Sequence, residues 1–245
     1  MVEEILQQIE HLPPVPDVIN ELQEMFYMDA YNASDVEAVI KKDPSLVADI
    51  LKIANSPIYG FVREILEIRQ AIVLFGLDQV IEFALASFMD GIGEPDLKFY
   101  GIDSETFLKL AHMKSSIVKK LITDKKKRFL VANTAFLCDV SKVIISRYAK
   151  DHHITIQADS VVLNELDEIE REALGFDTID VSIEMFDRWN FDPAMIRLLK
   201  NFRRQESSDH KALYIARDIV TIEAHIDQER LERLPQKESL MELVR

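Results

Sequence analysis

Hydrophobic positions along most of the chain recur every three to four residues, which is the spacing of helices with one buried face. One such stripe comprises Val18, Ile19, Leu22, Met25 and Phe26. Another comprises Ala212, Ile215, Ala216, Ile219 and Ile222. No segment shows the alternation of polar and apolar residues that is typical of strands. The pattern therefore predicts an all-α fold.

Local start and stop signals predict where several helices begin. Ser34 and Glu37 have the spacing of a capping box, so a helix is expected to begin at Ser34. Asp43-Pro44 is a second start signal, with Asp as the N-cap and Pro at the first helical position. Residues 66–75 form a short apolar stretch that we expect to be a helix closed by Gly76.

The middle of the chain predicts three further helices. One begins after Asp78, one runs without interruption over residues 129–148, and an acidic one covers residues 160–174. The apolar face of the acidic helix is predicted to comprise Leu163, Leu166, Ile169 and Ala173. Its outward face is predicted to comprise Glu165, Asp167, Glu168, Glu170 and Glu172.

Glycine and proline mark one candidate boundary. Residues 91–103 contain Gly91, Gly93 and Gly101, which are half of the 6 glycines in the chain. We therefore predict a connector there. It would separate an N-terminal helical part (residues 1–90) from a second helical core (residues 104–233), with a C-terminal tail over residues 234–245.

Composition limits the possible functions. Of 245 residues, 48% are hydrophobic and 29% are charged, as in a protein with a sizeable core. The net charge of -14 repels phosphate backbones, so nucleic acid is not an expected partner. Cys138 is the single cysteine, and the start of the chain lacks the pattern of a signal peptide. No apolar run approaches the ~20 residues that span a bilayer. These features predict a cytoplasmic protein without a membrane partner.

A set of short motifs follows the proline-rich turn at residues 12–16. Its residues are Asp43, Pro44, Ala54, Asn55, Ser56, Tyr59, Gly60, Arg69, Gln70 and Gly76. Their order and spacing resemble the HDOD family, a relative of the HD phosphohydrolases found mostly in bacterial signalling proteins. The resemblance implies an HD-domain, phosphodiesterase-like helical core preceded by an N-terminal helical subdomain.

The polar motif residues have two interpretations. Asn55 and Ser56 can satisfy backbone groups at a helix end, and Gly60 can take a positive φ. Arg69 and Gln70 are long enough to reach the same helix-end carbonyls. We favour this role in holding the fold over the alternative, which is recognition of a partner.

The resemblance also implies where metal ligands would lie. HD enzymes use a His, a His-Asp pair and a distal Asp to bind a metal that activates water. The corresponding positions are occupied by His112 or Lys114, Cys138, Asp139, Thr178 and Asp218. Thr178 stands with Asp177 where many relatives have another histidine. The set has thus lost its histidines, apart from His112 close to Lys114, and predicts no metal, no cofactor and no catalytic residue.

These residues suggest one structural hypothesis and three candidate functions. Lys114 is predicted to pair with Asp139 or Asp218 and to replace the metal as a cross-brace. The favoured function is a non-enzymatic signalling module that acts through contacts with a signalling protein. One alternative is a metal-dependent phosphohydrolase that uses His112, Asp139 and Asp218. The other is a pocket that senses a small nucleotide without turnover, through Lys114 or the basic residues 119–128.

Overall fold

The structure is a computed structural model that describes residues 3–28, 31–56, 59, 63–92 and 96–243, with residues 26–28 described through their backbone only. Within these residues the chain is helical and contains no strand. Two isolated antiparallel bridges, Val162 with Thr221 and Val220 with Ile226, are its only sheet-like pairs among the described residues. The predicted all-α class is confirmed.

Contacts divide the chain into two compact units. The N-terminal unit is Pro13–Gly93, and the C-terminal unit combines Met1–Leu12 with Glu94–Arg245. The division predicted from the sequence differs from the observed one at the first helix, α1 (Glu3–Glu10), because it assigns α1 to the N-terminal part. In the structure α1 packs against two helices of the C-terminal unit, and its Ile5 and Ile9 are buried.

The N-terminal unit is built from five described helices. They are α2 (Asp17–Met28), α3 (Ala33–Ile40), α4 (Pro44–Ala54), α5 (Ile68–Phe75) and α6 (Leu77–Gly91). Helix α6 packs along α4, and α5 contacts α3, α4 and α6. Most side chains of α6 are buried, as its apolar composition predicts.

Three of the predicted helix starts can be compared with the observed caps. The Asp43 carboxylate accepts hydrogen bonds from the backbone amides two and three residues on, at 2.9 and 3.2 Å, so this cap is confirmed. Asn32, rather than Ser34, is the N-cap of α3, because its side chain and that of Asp35 form the capping box. Helix α6 begins directly after Gly76, whose φ is 83°, and Asp78 lies in its first turn rather than at the cap.

The C-terminal unit contains the remaining helices. They are α1, α7 (Ser104–Leu121), α8 (Lys125–Leu137), α9 (Lys142–Asp151), α10 (Leu163–Leu174), α11 (Thr178–Arg188), α12 (Pro193–Asn201), α13 (Ser208–Asp218), α14 (Gln228–Glu232) and α15 (Lys237–Leu240). Short 3-10 turns cover Lys98–Tyr100, Phe202–Arg204 and Met241–Leu243. Helices α7, α8 and α13 pack against one another, and they position the site described below.

The helix predicted over residues 129–148 is in fact two helices, α8 and α9, separated by a turn at residues 138–141. The stretch Lys125–Asp151 is long and apolar enough to cross a membrane, but 94% of its apolar window is buried inside the protein. It is therefore a core segment of the C-terminal unit.

Asn55 joins two segments of the N-terminal unit. Its side-chain nitrogen donates to the backbone oxygens of Leu51 and Ile65, each at 2.8 Å. Its side-chain oxygen accepts from the backbone nitrogen of Ile65 at 2.7 Å. The preceding motif residue, Ala54, is fully buried. The end of α4 is thereby tied to the segment that leads into α5, which agrees with a role in holding the fold.

Arg69 and Gln70 do not bind the helix-end carbonyls as predicted. Arg69 donates from Nε to a Glu37 oxygen at 2.9 Å and from Nη2 to the Ser34 hydroxyl at 3.0 Å. Gln70 accepts from the backbone nitrogen of Leu66 at 2.9 Å. Asn55 and Ser56 already bond the Leu51 and Ile53 carbonyls at the end of α4. A carboxylate is also a stronger partner for a guanidinium.

Tyr59 belongs to an aromatic cluster of the N-terminal unit. Its ring lies edge-on to Phe75 and Phe83, with centroid distances of 5.0 and 5.3 Å. Burial, with a contribution from the Glu82 charge, raises the pKa of the Tyr59 hydroxyl. The motif residue Gly60 lies outside the described residues.

Replacing Asn55 by alanine is expected to lower the free energy of unfolding by about 2–3 kcal/mol, because three hydrogen bonds at about 1 kcal/mol each are lost. Asn201→Ala is the matched control, since Asn201 makes one hydrogen bond, to its own helix at 2.8 Å. That control is expected to cost about 1 kcal/mol. Denaturant titration followed by circular dichroism gives both values. Equal losses for the two variants would contradict the bridging role of Asn55.

Candidate functional site

The turn between α8 and α9 carries the two residues that correspond to an HD pair, and α11 holds this turn in place. The Ser182 hydroxyl donates to the Cys138 backbone oxygen at 2.6 Å and contacts the Ser141 hydroxyl at 2.8 Å. The Ser141 hydroxyl donates to the Thr178 backbone oxygen at 2.8 Å. All of these hydroxyls are buried, so the turn is fixed with Asp139 facing the interior.

Asp139 is the centre of the site. Arg217 donates from Nη1 to both Asp139 oxygens, at 3.0 and 3.1 Å, and the Lys114 ammonium contacts one of them. The Lys142 ammonium lies 3.5 Å from the other oxygen. Burial by itself would raise the pKa of Asp139, but Arg217, Lys114 and Lys142 together hold that pKa well below its ordinary value. The three cations therefore favour the ionised form of Asp139.

The Cys138 sulfur lies among the same cations. Lys114 Nζ is 3.2 Å from the sulfur and Arg217 Nη1 is 3.3 Å from it. Burial raises the pKa of the Cys138 thiol despite both cations. Since the thiolate is the nucleophilic and metal-binding form, this cysteine is an inert part of the core.

Lys142 connects Asp139 to a second carboxylate. Its ammonium donates to Glu170 at 2.9 Å and to the Thr178 hydroxyl at 2.7 Å, and the Thr178 hydroxyl lies 2.8 Å from the same Glu170 oxygen. The Tyr100 ring covers the ammonium, 4.5 Å from its centroid. Burial would lower the pKa of Lys142, but Glu170 and Asp139 outweigh burial and raise it.

Arg217 connects Asp139 to the remaining carboxylates. It donates from Nη2 to Asp167 at 2.6 Å. The half-exposed Arg203 donates to Asp167 at 2.9 Å and to Asp177 at 2.8 Å, and Arg171 also contacts Asp177. Burial, opposed by Arg217 and helped by neighbouring carboxylates, raises the pKa of Asp167 to about 6.

We call Asp139 and the five buried charged residues that are linked to it directly or through one shared partner the ion network; the buried Asp177 lies outside it and pairs with the half-exposed Arg171 and Arg203. Its members are Lys114, Asp139, Lys142, Asp167, Glu170 and Arg217. Three cations face three anions, so the network is neutral when every group is ionised. Charges removed from water are tolerated only when they are paired and hydrogen-bonded in this way.

The ion network does not fit a bound metal. A divalent ion coordinated by Asp139 and Cys138 would occupy the place of one ammonium and one guanidinium, and the remaining cations would repel it. Among the described residues, no group of three or more His, Cys, Asp and Glu side chains is arranged to hold a metal. Cations of the protein itself neutralise the carboxylate that the family pattern assigns to a metal.

Two predicted residues lie elsewhere. Asp218 accepts from Arg230 at 2.8 Å on the periphery of the C-terminal unit, and the adjacent Arg217 enters the ion network instead. Successive helical residues are rotated by about 100°, so only one of the two can face the core. The half-buried His112 ring lies edge-on to Phe136, with centroids 5.1 Å apart. The structure thus brings Lys114 to Asp139 and not to Asp218.

Sequence reasoning missed Lys142, Arg217 and the two acidic members on α10. The predicted apolar face of α10 is half right: Leu163 and Leu166 are buried, but Ala173 is exposed and Ile169 is only half-buried. The buried face comprises Leu163, Leu166, Asp167, Glu170 and Leu174. This set has regular helical spacing, but two of its positions are carboxylates. A search for apolar residues alone assigns those two positions to solvent.

Replacing Asp139 by asparagine is expected to lower the free energy of unfolding by about 3–5 kcal/mol, because three buried cations lose their shared carboxylate. Lys114→Met is expected to cost about 2 kcal/mol or less, since Asp139 keeps Arg217 and Lys142. Denaturant titration measures both. Lys42→Met serves as the control, because it removes an exposed pair with Glu21 and is expected to cost at most about 1 kcal/mol. A cost for Asp139→Asn close to that of the control would contradict the central role of this carboxylate.

Comparison with known sequences gives a match to one family. The family profile of the HDOD domain matches residues 12–204. An uncharacterized protein of Treponema pallidum (strain Nichols) is 33% identical over 73 residues, which are 30% of this chain and 14% of that protein. The chain therefore matches only a small part of this much longer relative.

Comparison with solved structures supports the same fold. An HDOD domain protein of unknown function from Geobacter sulfurreducens is 18% identical, and the match covers 98% of this chain and 88% of that one with a TM-score of 0.63. A provisionally assigned phosphohydrolase from Shewanella amazonensis SB2B is 16% identical, with coverages of 99% and 98% and a TM-score of 0.58. A provisionally assigned signal transduction protein from Marinobacter aquaeolei VT8 is 14% identical, with coverages of 96% and 59% and a TM-score of 0.62.

At these identities the structural likeness concerns the fold alone. The profile match is the stronger finding, because it covers most of the chain and includes the motif residues from Asp43 to Gly76. On that match, the chain belongs to the HDOD family.

Proposed function

We propose that this chain is a non-catalytic regulatory module of a cytoplasmic signalling system and that it acts through contacts with another protein. One observation carries the proposal. Asp139, the carboxylate that would hold a metal in the HD pattern, is bound by the buried Lys114 and Arg217. The Marinobacter aquaeolei relative in fold, described as a signal transduction protein, supports the same class of function.

The rival classes require groups that are engaged elsewhere. A phosphohydrolase would need Asp218 beside Asp139, but Asp218 pairs with Arg230. A nucleotide sensor at the same position would need the Lys114 ammonium to meet a phosphate. That ammonium is fully buried against Asp139, and an incoming phosphate would have to displace a carboxylate inside the core.

A candidate contact surface lies on the N-terminal unit. Leu66, Val73 and Leu74 are exposed to 65%, 79% and 51%, unusually high values for large apolar side chains. Val73 and Leu74 line a groove of about 400 Å³ together with Arg69 and Gln70, and Leu66 lies just before α5. We call the three exposed apolar residues the α5 surface. Concentrated apolar exposure is typical of protein interaction sites, so the proposed partner presents apolar side chains to α5.

The non-catalytic part of the proposal predicts a protein without a stoichiometric metal. The chain, purified without chelator and without a histidine tag, is expected to contain no divalent transition metal by mass spectrometry and to be folded by circular dichroism. Adding Mn²⁺ is expected to leave its melting temperature unchanged, because the ion network offers no vacant ligand set. A chelator-treated sample is the control. A bound metal whose removal lowers the melting temperature would contradict the non-catalytic proposal and favour the phosphohydrolase alternative.

The contact part predicts specific crosslinking at α5. A photoreactive amino acid in place of Val73 is expected to form an adduct with one defined protein in cells, and adding Leu74→Asp is expected to abolish it. The matched control carries the same amino acid in place of Met241, which is 42% exposed on the C-terminal unit. Identical adducts from both positions, or no effect of Leu74→Asp, would rule out the α5 surface.

A further inference from the structure

A second concave site lies in the C-terminal unit, apart from the ion network. It is formed by the Lys98–Tyr100 turn, one side of α9 and the segment that follows α9. Its volume is about 430 Å³. Small-molecule sites in proteins typically have ~300–1,000 Å³, so the cavity has room for one small ligand.

One hydroxyl that lines this cavity has no hydrogen-bond partner among the described residues. Ser146, on α9, is only 2% exposed and lines the cavity. Its hydroxyl makes no hydrogen bond with any residue that the structure describes. The Ser146 oxygen is not among the fully buried side-chain atoms that lack a partner, so it is open to the cavity and can bond a ligand there.

The rim of the cavity is cationic although the chain has a net charge of -14. Among the described lining residues, the charged side chains are those of Lys98, Lys150 and Asp96. Asp96 pairs with Lys150 at 2.8 Å, and both side chains are partly or largely exposed. Such an exposed pair holds little free energy, so an anionic ligand can replace Asp96 at Lys150 at low cost.

Apolar groups line the cavity beside the cations. Phe99, Ile154 and Ile156 contribute half-buried side chains. The Phe99 ring lies edge-on against the buried Tyr100, with centroids 4.9 Å apart, and this contact favours its observed orientation.

We propose that this cavity binds a small aromatic anion, with one carboxylate, sulfonate or phosphate on a flat apolar body. The anionic group meets Lys98 and Lys150, the ring packs on Phe99 and Ile154, and the Ser146 hydroxyl donates to an acceptor on the ligand. This inference goes beyond the proposed regulatory function and does not depend on it. It assigns the small-ligand site to the cavity and not to the ion network.

The probe for the test is 8-anilinonaphthalene-1-sulfonate, an aromatic body with one anionic group whose fluorescence rises when it leaves water. The full chain is expected to bind one equivalent. Lys150→Glu and Lys98→Glu are each expected to weaken binding by about tenfold or more, which corresponds to about 1.4 kcal/mol. Ser146→Leu, which fills the cavity, is expected to weaken it as strongly. Because both lysines are exposed, their variants report on binding even if Ser146→Leu does not fold.

Three controls separate this site from general binding. Lys200→Glu changes the charge equally at an exposed position on α12, and Val73→Asp removes apolar character from the α5 surface; both are expected to leave the affinity unchanged. The uncharged analogue N-phenyl-1-naphthylamine is expected to bind more weakly than the sulfonate. The proposal is overturned if Lys150→Glu and Lys200→Glu weaken binding equally, if Val73→Asp abolishes it, or if both probes bind alike.

Discussion

The charge of Asp139 is the constraint on which the C-terminal unit depends. A carboxylate removed from water costs several kcal/mol unless charged partners surround it. Its partners Lys114, Lys142 and Arg217 lie on α7, α9 and α13. The Asp139 charge is neutralised only when these three helices pack in one relative arrangement. Apolar packing alone tolerates small shifts, whereas hydrogen bonds near 3 Å to a fixed carboxylate do not. The network therefore adds specificity to a core whose stability comes mainly from apolar burial.

The same carboxylate position supports two different kinds of site. In the HD pattern it binds an exchangeable ion and prepares a water for attack. Here it binds an ammonium and a guanidinium that are covalent parts of the chain, so nothing at its centre is free to exchange with solvent. On the proposed non-catalytic function, the module would act through its surface. The structure offers two surface features of different chemistry, the exposed apolar side chains of the α5 surface and the cationic cavity beside α9.

In the N-terminal unit, polar motif residues hold the helices together, whereas apolar residues of α5 are exposed to solvent. Asn55 closes the end of α4 onto residue 65, and Arg69 ties α5 to Glu37 on α3. These bonds orient α5, which then presents Val73 to solvent at 79% exposure. The two interpretations of the motif are thus compatible. By holding the fold, the motif residues position α5, and the exposed side chains of α5 form the surface that a partner would need.

The sequence by itself determined the all-α class, the family and the Asp43-Pro44 helix start. Helical periodicity and capping are local properties, so a single chain segment carries the whole signal. Only the tertiary structure decided that residues 129–148 break at the Cys138 turn, that Glu170 points inward and that Arg217 rather than Asp218 enters the core. The reason is physical: a charged side chain is stable in the interior only beside partners that other helices supply, and no local pattern records those partners.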